Sequence, residues 1–321
     1  MQSYQEARTI VDLRPQDLIV DIGSNDGTLL SNFSDGGHRV QGIEPSQVGN
    51  LANARNIPTI ITFFTPKVAK AVRKQHGPAR IVTATNVFAH MENIHAVLDG
   101  IIAMLDDKGV FISESHYLVS LVETLQYDAI YHEHLRYYSL ASLKHLLDMH
   151  GLTIIHAKRI PTHGGSIRVY ASKVGAYSVH ETVKAILKEE ERADLAVDKL
   201  QEFKKRVALS KLQLHALLLD IKGQARRIYG IGAPSRAGTL INYLGLDEGI
   251  VEYVLEVKDS YKVGKYIPGT LIPVVEESRL YEDQPEYALL FSWHIADELA
   301  PKIRHKGFKE TSSCRCRLPG L

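Results

Sequence analysis

The sequence predicts an α/β protein: a doubly wound, mostly parallel sheet, then a helical stretch, then a second and smaller α/β domain. Three observations predict it. The apolar stretch Asp17–Ile22 runs straight into a glycine-bracketed turn, Gly23-Ser-Asn-Asp-Gly27, and then into an apolar helical run, Thr28 to Phe33. Strand-like and helix-like segments alternate from there through Ser113. The order strand, glycine turn, helix returns at Arg227–Leu244. Alternation of this kind predicts parallel strands with ligands at their carboxyl ends.

Taken in order, residues 4–13 read as a short helix. Asp17–Ile22 is a buried strand between Pro15 and Gly23. The glycines of the following turn allow close backbone approach to a ligand. Their spacing is G-x-x-x-G, not the G-x-G-x-x-G of dinucleotide folds. The next strand, Arg39–Ile43, ends at Glu44, about 20 residues past the turn, where an acid suits ribose hydroxyls. Further strands are expected at Thr59–Thr62, Arg80–Ala84 and Gly109–Ser113, separated by helices near 65–75 and 93–105. Strand four leads into Thr85–His90 and strand five into Glu114–Tyr117, so both segments point to the rim that carries the glycine turn. Leu140 to His150 reads as a helix stopped by Gly151. Leu152–His156 and Ser166–Ala171 read as an antiparallel hairpin across Pro161–Gly165. A parallel core with one reversed strand is the architecture of class I methyltransferases, whereas a dinucleotide fold is all parallel.

Residues 178–222 are charged and helical, with Leu195, Leu200, Phe203, Val207, Leu214 and Leu218 at roughly helical spacing. Lys188–Arg192 reads as a solvated face. Beyond them, Arg227–Ile231, the turn Gly232–Gly238, a helix from Thr239 and the strand Val251–Leu255 ending at Glu256 repeat the first βαβ unit. Gly230, Gly232 and Gly238 approximate a phosphate cradle, with Arg236 able to add charge. Ala288–Ser292 is a late strand and Glu298–Arg304 a helix. The expected division is 1–177, a helical linker 178–222, and a Rossmann-like domain 223–321.

The chain has 321 residues, 45% hydrophobic and 23% charged, with 38 basic residues against 37 acidic. That length suits two domains. The near-neutral balance points to no nucleic acid and no membrane as partner. No apolar run reaches the length of a bilayer span, and Met1–Thr9 does not read as a signal peptide. The two cysteines, Cys314 and Cys316, are a poor disulfide pair and half a metal site at best, so no metal is expected. A cytoplasmic location and a monomer or weak homo-oligomer are expected.

The chemistry-bearing stretch is Tyr127–Ser139, which holds Tyr131, His132, Glu133 and His134. Imidazoles titrate near neutrality and a neighbouring carboxylate can orient them. A tyrosine hydroxyl can donate to a developing oxyanion. Together they suit removal of a proton beside a carbonyl.

Six segments resemble the S-adenosylmethionine-dependent sugar C-methyltransferases, which methylate a carbon of a nucleotide-linked keto-deoxysugar. They are Val20–Leu29, Glu44–Ser46, Asn86–His90, Tyr131–Tyr138, Thr162–Tyr170 and Tyr229–Pro234. The resemblance implies that Asp21, Gly23, Ser24, Asn25, Gly27, Glu44, Pro45 and Asn86 hold S-adenosyl-L-methionine. It implies catalytic roles for Tyr131, Glu133, His134 and His90, with His134 as base. Substrate contacts are expected from His163, Gly164, Ser166, Arg168 and Arg236, with the nucleotide sugar as small-molecule partner. Members of that family usually begin with a four-cysteine zinc domain, which this sequence does not show, and the tail Glu310–Leu321 departs from the family's apolar ending. Two alternatives stand beside this reading: an NAD-dependent sugar-nucleotide oxidoreductase using Gly230–Gly238 and Glu256, and an inactive truncated binding protein.

Overall fold

The computed structural model describes residues 2–309. Cys314, Cys316 and the polar tail around them lie outside the described residues. The chain forms two compact units. The first takes the chain through Val119 and again from Glu133 to Asp194; the second takes Ser120–His132 and the chain from Leu195 onward.

The first unit begins with α1 (Gln2–Ile10), β1 (Leu18–Ile22), α2 (Thr28–Asp35), β2 (Arg39–Glu44), α3 (Gly49–Ala54) and β3 (Thr59–Ile61). It continues through α4 (Pro66–His76), β4 (Ala79–Thr85), α5 (Ile94–Met104) and β5 (Leu105–His116). After α6 (Leu118–Glu123), which runs on into the second unit's segment, come α7 (Leu140–Met149), β6 (Leu152–Ile160), β7 (Ser166–Lys173) and α8 (Glu181–Ala193). The sheet order is β3-β2-β1-β4-β5-β7-β6, parallel except that β7 runs against both neighbours. This is the reversed strand expected from the hairpin, and it sits inside the sheet rather than at its edge. All five residues of β1 are buried, which is why this strand reads as an unbroken apolar run. Leu30 and Phe33 of α2 pack under it with Tyr4 and Ala7 of α1. Burial of each such large side chain contributes about 1.5–3 kcal/mol.

Two differences from the sequence reading matter for the site. β5 runs through His116, so Glu114 and His116 belong to the strand itself, and His116 pairs with Ser166 at the start of β7. The Lys188–Arg192 run is not wholly solvated. Glu190 is buried, and its carboxylate accepts from the amides of Leu140 and Ala141 (2.9 Å for the latter) at the start of α7. An anion there satisfies amides that a helix N-terminus leaves unpaired.

The second unit contains α9 (Val197–Gly223), β8 (Ile228–Ile231), α10 (Ser235–Leu244), β9 (Tyr253–Glu256), β10 (Val274–Glu276), α11 (Ser278–Asp283), β11 (Tyr287–Leu290) and α12 (Ala296–His305). Its sheet, ordered β10-β9-β8-β11, is parallel throughout. Leu214, Leu218 and Ile221 of α9 are buried in its core beside Leu125 and Tyr127. The stretch 178–222, expected as a linker, is thus divided: α8 belongs to the first unit and α9 to the second. No helix among the described residues is long and apolar enough to cross a membrane.

Candidate active site

The glycine turn after β1 is built as its sequence requires. Gly23, Asn25 and Gly27 all have positive φ, at 73°, 50° and 79°. A Cβ on Gly23 would lie 2.3 Å from a methyl of Val87, so only glycine fits. Glu44 closes the turn: one carboxylate oxygen accepts from the Asn25 amide at 3.0 Å and the other from the Ser46 amide at 2.9 Å. Beneath lies Asp21, buried, with the Thr83 hydroxyl donating to it at 2.5 Å. Burial pushes its carboxyl up to about 7, opposed by the Thr83 hydrogen bond and reinforced by the Glu44 charge.

A cavity of about 580 Å³ opens beside this turn. Of the expected cofactor residues, Gly23 and Pro45 line it; Phe63, Phe64, Val87, His90 and Met91 complete much of the wall. Ser24 Oγ and Asn86 Oδ1 are buried without hydrogen-bond partners. Orphaned polar atoms of this kind cost free energy unless a ligand or water meets them. The tight cradle at Gly23, the carboxylate at Glu44 and the two orphaned atoms fit an adenosine-bearing cofactor. Phe63 was not legible in the sequence, although its ring is 75% exposed and forms part of the wall.

The histidine strip is stapled to the loop that borders this cavity. The carbonyl of Glu133 accepts from His90 Nδ1 at 2.7 Å, and the Leu135 amide donates to the Ala89 carbonyl at 3.0 Å. Arg136 donates to the carbonyls of Met91 and Glu92, the latter at 2.8 Å. Glu133 therefore enters through its main chain; its residue as a whole is exposed. The ring of His134 stands 4.9 Å from that of His90 and 5.0 Å from that of His116, and His116 stands 5.7 Å from His163. Tyr137 lies 6.0 Å from His134. Four imidazoles thus line up along the rim. Sequence reasoning placed His116 at this rim but gave it no role; the strand end was the available signal. Among the described residues, no group of three or more His, Cys, Asp or Glu is arranged to hold a metal ion.

Of the expected substrate residues, His163 and Gly164 form a turn with φ of 54° and 85°. Ser166 is buried, and its hydroxyl donates to the Thr162 carbonyl at 3.0 Å. Arg168 is engaged inside the protein: it donates twice to Glu114, at 3.1 and 2.9 Å, and to Glu6 at 2.6 Å. Glu114 in turn accepts from the Thr162 hydroxyl at 3.2 Å.

Within the second unit, Arg236 grips Asp128 through two hydrogen bonds of 2.7 Å each and stacks over Trp293. The Trp293 indole donates to the same carboxylate at 2.7 Å. Arg236 is 7% exposed and Asp128 1%. The guanidinium expected as a phosphate ligand is therefore paired with a buried carboxylate, and the sequence pattern marks neither Asp128 nor Trp293 for a role. Tyr131 belongs to this unit's Ser120–His132 segment, its ring 6.3 Å from that of His132.

The turn of the second unit repeats the logic of the first. The Gly232 amide donates to the Leu255 carbonyl at 2.8 Å, as Gly23 does to Ile43 at 2.8 Å. Glu256 accepts from the Ala233 amide at 3.2 Å, as Glu44 does from Asn25.

Two sequence families match the chain: residues 6–157 match one described as a methyltransferase domain, and residues 161–312 one described as the C-methyltransferase C-terminal domain. A relative, C-methyltransferase NovU of Streptomyces niveus, is 34% identical over 305 residues, covering 92% of this chain and 72% of its own length. Among solved structures, an S-adenosylmethionine-dependent methyltransferase from Anabaena variabilis is 12% identical over 54% of this chain and 82% of its own, with a TM-score of 0.44. Magnesium protoporphyrin IX methyltransferase from Synechocystis, solved with bound S-adenosylhomocysteine, is 18% identical over 53% and 78%, with a TM-score of 0.41.

Proposed function

Because this chain belongs to the S-adenosylmethionine-dependent C-methyltransferase family, we propose that it methylates the carbon beside the ketone of a nucleotide-linked keto-deoxysugar. The observation that carries this reading is the double membership of His90. Its ring lines the glycine-turn cavity and stands 4.9 Å from His134. Cofactor wall and candidate base are thus one continuous surface within the first unit.

In this reading Gly23, Ser24, Asn25, Gly27, Glu44, Pro45 and Asn86 hold the cofactor, with Asp21 supporting the turn from below. When bound, the cofactor supplies an electrophilic methyl group. A proton beside a ketone is only weakly acidic, so transfer to carbon needs a base, and a positioned imidazole contributes about 10²–10⁴-fold. His134 is that base. His90 donates to the enolate oxygen. The His90 ring does so only as an imidazolium, because its Nδ1 proton is committed to the Glu133 carbonyl. Glu133 acts by holding His90. His163, Gly164 and Ser166 border the sugar. Arg168 and Arg236 act through what they hold, Glu114 and Asp128.

Solvent deuterium exchange at the acceptor carbon tests the reading. His134→Asn is expected to abolish exchange while S-adenosylhomocysteine still binds by calorimetry; retained exchange would remove His134 from the role. Binding of NAD in place of S-adenosylhomocysteine would return the oxidoreductase alternative.

A further inference from the structure

Methylation of carbon releases one proton per turnover. The C–H bond breaks, its electron pair forms the new C–C bond, the sulfonium becomes a neutral thioether, and the proton stays on the base. A second turnover requires that the base be cleared. His90 cannot pass that proton through its ring, because its Nδ1 faces a peptide carbonyl, which is not a proton acceptor at ordinary pH.

We propose that His116 and His163 are the outlet for this proton: His116 takes it from His134 and His163 releases it to water. The inference rests on the reading of His134 as the base. The ring separations, 5.0 Å from His134 to His116 and 5.7 Å from His116 to His163, allow nitrogens to meet directly or across one water. Exposure rises along the path, from half-buried His134 and His116 to exposed His163.

The turn that carries His163 is held in an uncommon shape. His163, Gly164 and Gly165 have successive φ values of 54°, 85° and 124°. Left-handed backbone at a residue with a side chain persists where its surroundings over-determine it. Here they do. The Tyr117 amide donates to the Gly165 carbonyl at 3.2 Å, and Ser166 and Glu114 fix Thr162 from either side. The turn is thereby tied to the end of β5, the strand end that carries His116. His116 is faced by His134 on the strip and His163 on the turn, with Glu114 and Arg168 one strand pair back, and Tyr137 stands against His134.

Rapid-quench methyl transfer by the whole protein, with a nucleotide-linked keto-deoxyhexose as the probe sugar, tests the outlet. His116→Asn and His163→Asn are expected to slow steady turnover by about tenfold or more, with the first turnover falling far less. A burst should therefore appear. The steady rate should recover as imidazole buffer is raised, with KM little changed. Absence of both the burst and the buffer dependence in His116→Asn overturns the proposal. A second measurement needs no sugar: ¹⁵N-histidine NMR titration of the protein bound to S-adenosylhomocysteine. The rings of His134, His116 and His163 are expected to titrate as a coupled set. His116→Asn should leave the other two with single, independent curves. Independent curves in the unmodified protein overturn the outlet whether or not the probe sugar is turned over. Exchange retained in His134→Asn would instead locate the failure in the choice of base.

Discussion

The imidazole of His90 donates its Nδ1 proton to the main-chain carbonyl of Glu133 across 2.7 Å, joining positions 43 residues apart. One hydrogen bond thereby fixes a tautomer, orients a cavity wall and anchors the strip that carries His134.

The two jobs of His90 are separable. Asparagine can place an amide N–H near the Nδ1 position but has nothing at Nε2. His90→Asn should therefore keep S-adenosylhomocysteine affinity within a few-fold while turnover falls about 10²–10⁴-fold. His90→Ala should lose the staple as well and weaken binding by about a further 1 kcal/mol, roughly fivefold. Calorimetry beside steady-state kinetics separates the two outcomes.

The glycine turn predicts an all-or-none residue. In Gly23→Ala the new methyl meets Val87 at 2.3 Å, and φ of 73° adds strain of about 1–2 kcal/mol. S-adenosylhomocysteine affinity is expected to fall by about 10²-fold or more. Adding Val87→Ala should recover the part due to the clash and leave the part due to φ, so the double variant should bind with intermediate affinity.

Asp21 gives a pH dependence with a definite sign. Its carboxyl is pushed up to about 7 in the folded protein, from an ordinary 3.8. Between those values the folded state keeps a proton that the unfolded state has released. The Asp21 contribution to stability is therefore full below pH 3.8 and is lost as pH rises through about 7. Asp21→Asn removes that titration. Thermal melts across this window should show Tm of the unmodified protein falling relative to the variant as pH rises; parallel curves would contradict it.

Much of this architecture is legible where its causes are local. The run into Gly23, the acid at Glu44 and the hairpin before Lys173 are each specified by neighbouring residues, and each lies where the sequence puts it. What sequence reading misses are partners far along the chain. Arg236 reads as an anion ligand because a guanidinium is visible in a sequence, and Arg168 as a substrate contact through the resemblance, whereas Glu114, 54 positions from Arg168, and Asp128, 108 positions from Arg236, become their partners only in the fold. Glu190 reads as solvated for the same reason: the amides it caps are 49 and 50 positions earlier. Phe63 carries no pattern at all, since one exposed aromatic residue is ordinary in a sequence.

The Asp128–Arg236 pair supports a thermodynamic prediction. Truncating one partner of a buried ion pair leaves the other charged and unpaired, at a cost of about 3–5 kcal/mol. Arg236→Ala and Asp128→Ala should each lower the denaturation midpoint strongly, and the double variant should cost much less than their sum. Arg236→Lys should remain well below the unmodified protein, because an ammonium cannot reproduce the two-pronged contact or the stack on Trp293.

Cofactor affinity should respond to Phe63. Phe63→Ala is expected to weaken S-adenosylhomocysteine by about 0.5–1.5 kcal/mol, roughly two- to tenfold, with melting in the absence of ligand nearly unchanged because the ring is mostly exposed.

The second unit draws on Ser120–His132 as well as on the chain from Leu195 onward. During synthesis from the N-terminus, Asp128 leaves the ribosome 108 residues ahead of the arginine that neutralises it, and Leu125 and Tyr127 emerge long before the core that buries them. The nascent chain must carry an unfinished piece of its last-made unit while the first unit closes around residues 133–194. A protein of this kind has a high contact order written into its domain plan. Proteolytic fragments ending near residue 194 should retain 120–132 as a sticky, unpaired segment, and expression of residues 195–309 alone should depend on supplying that peptide in trans.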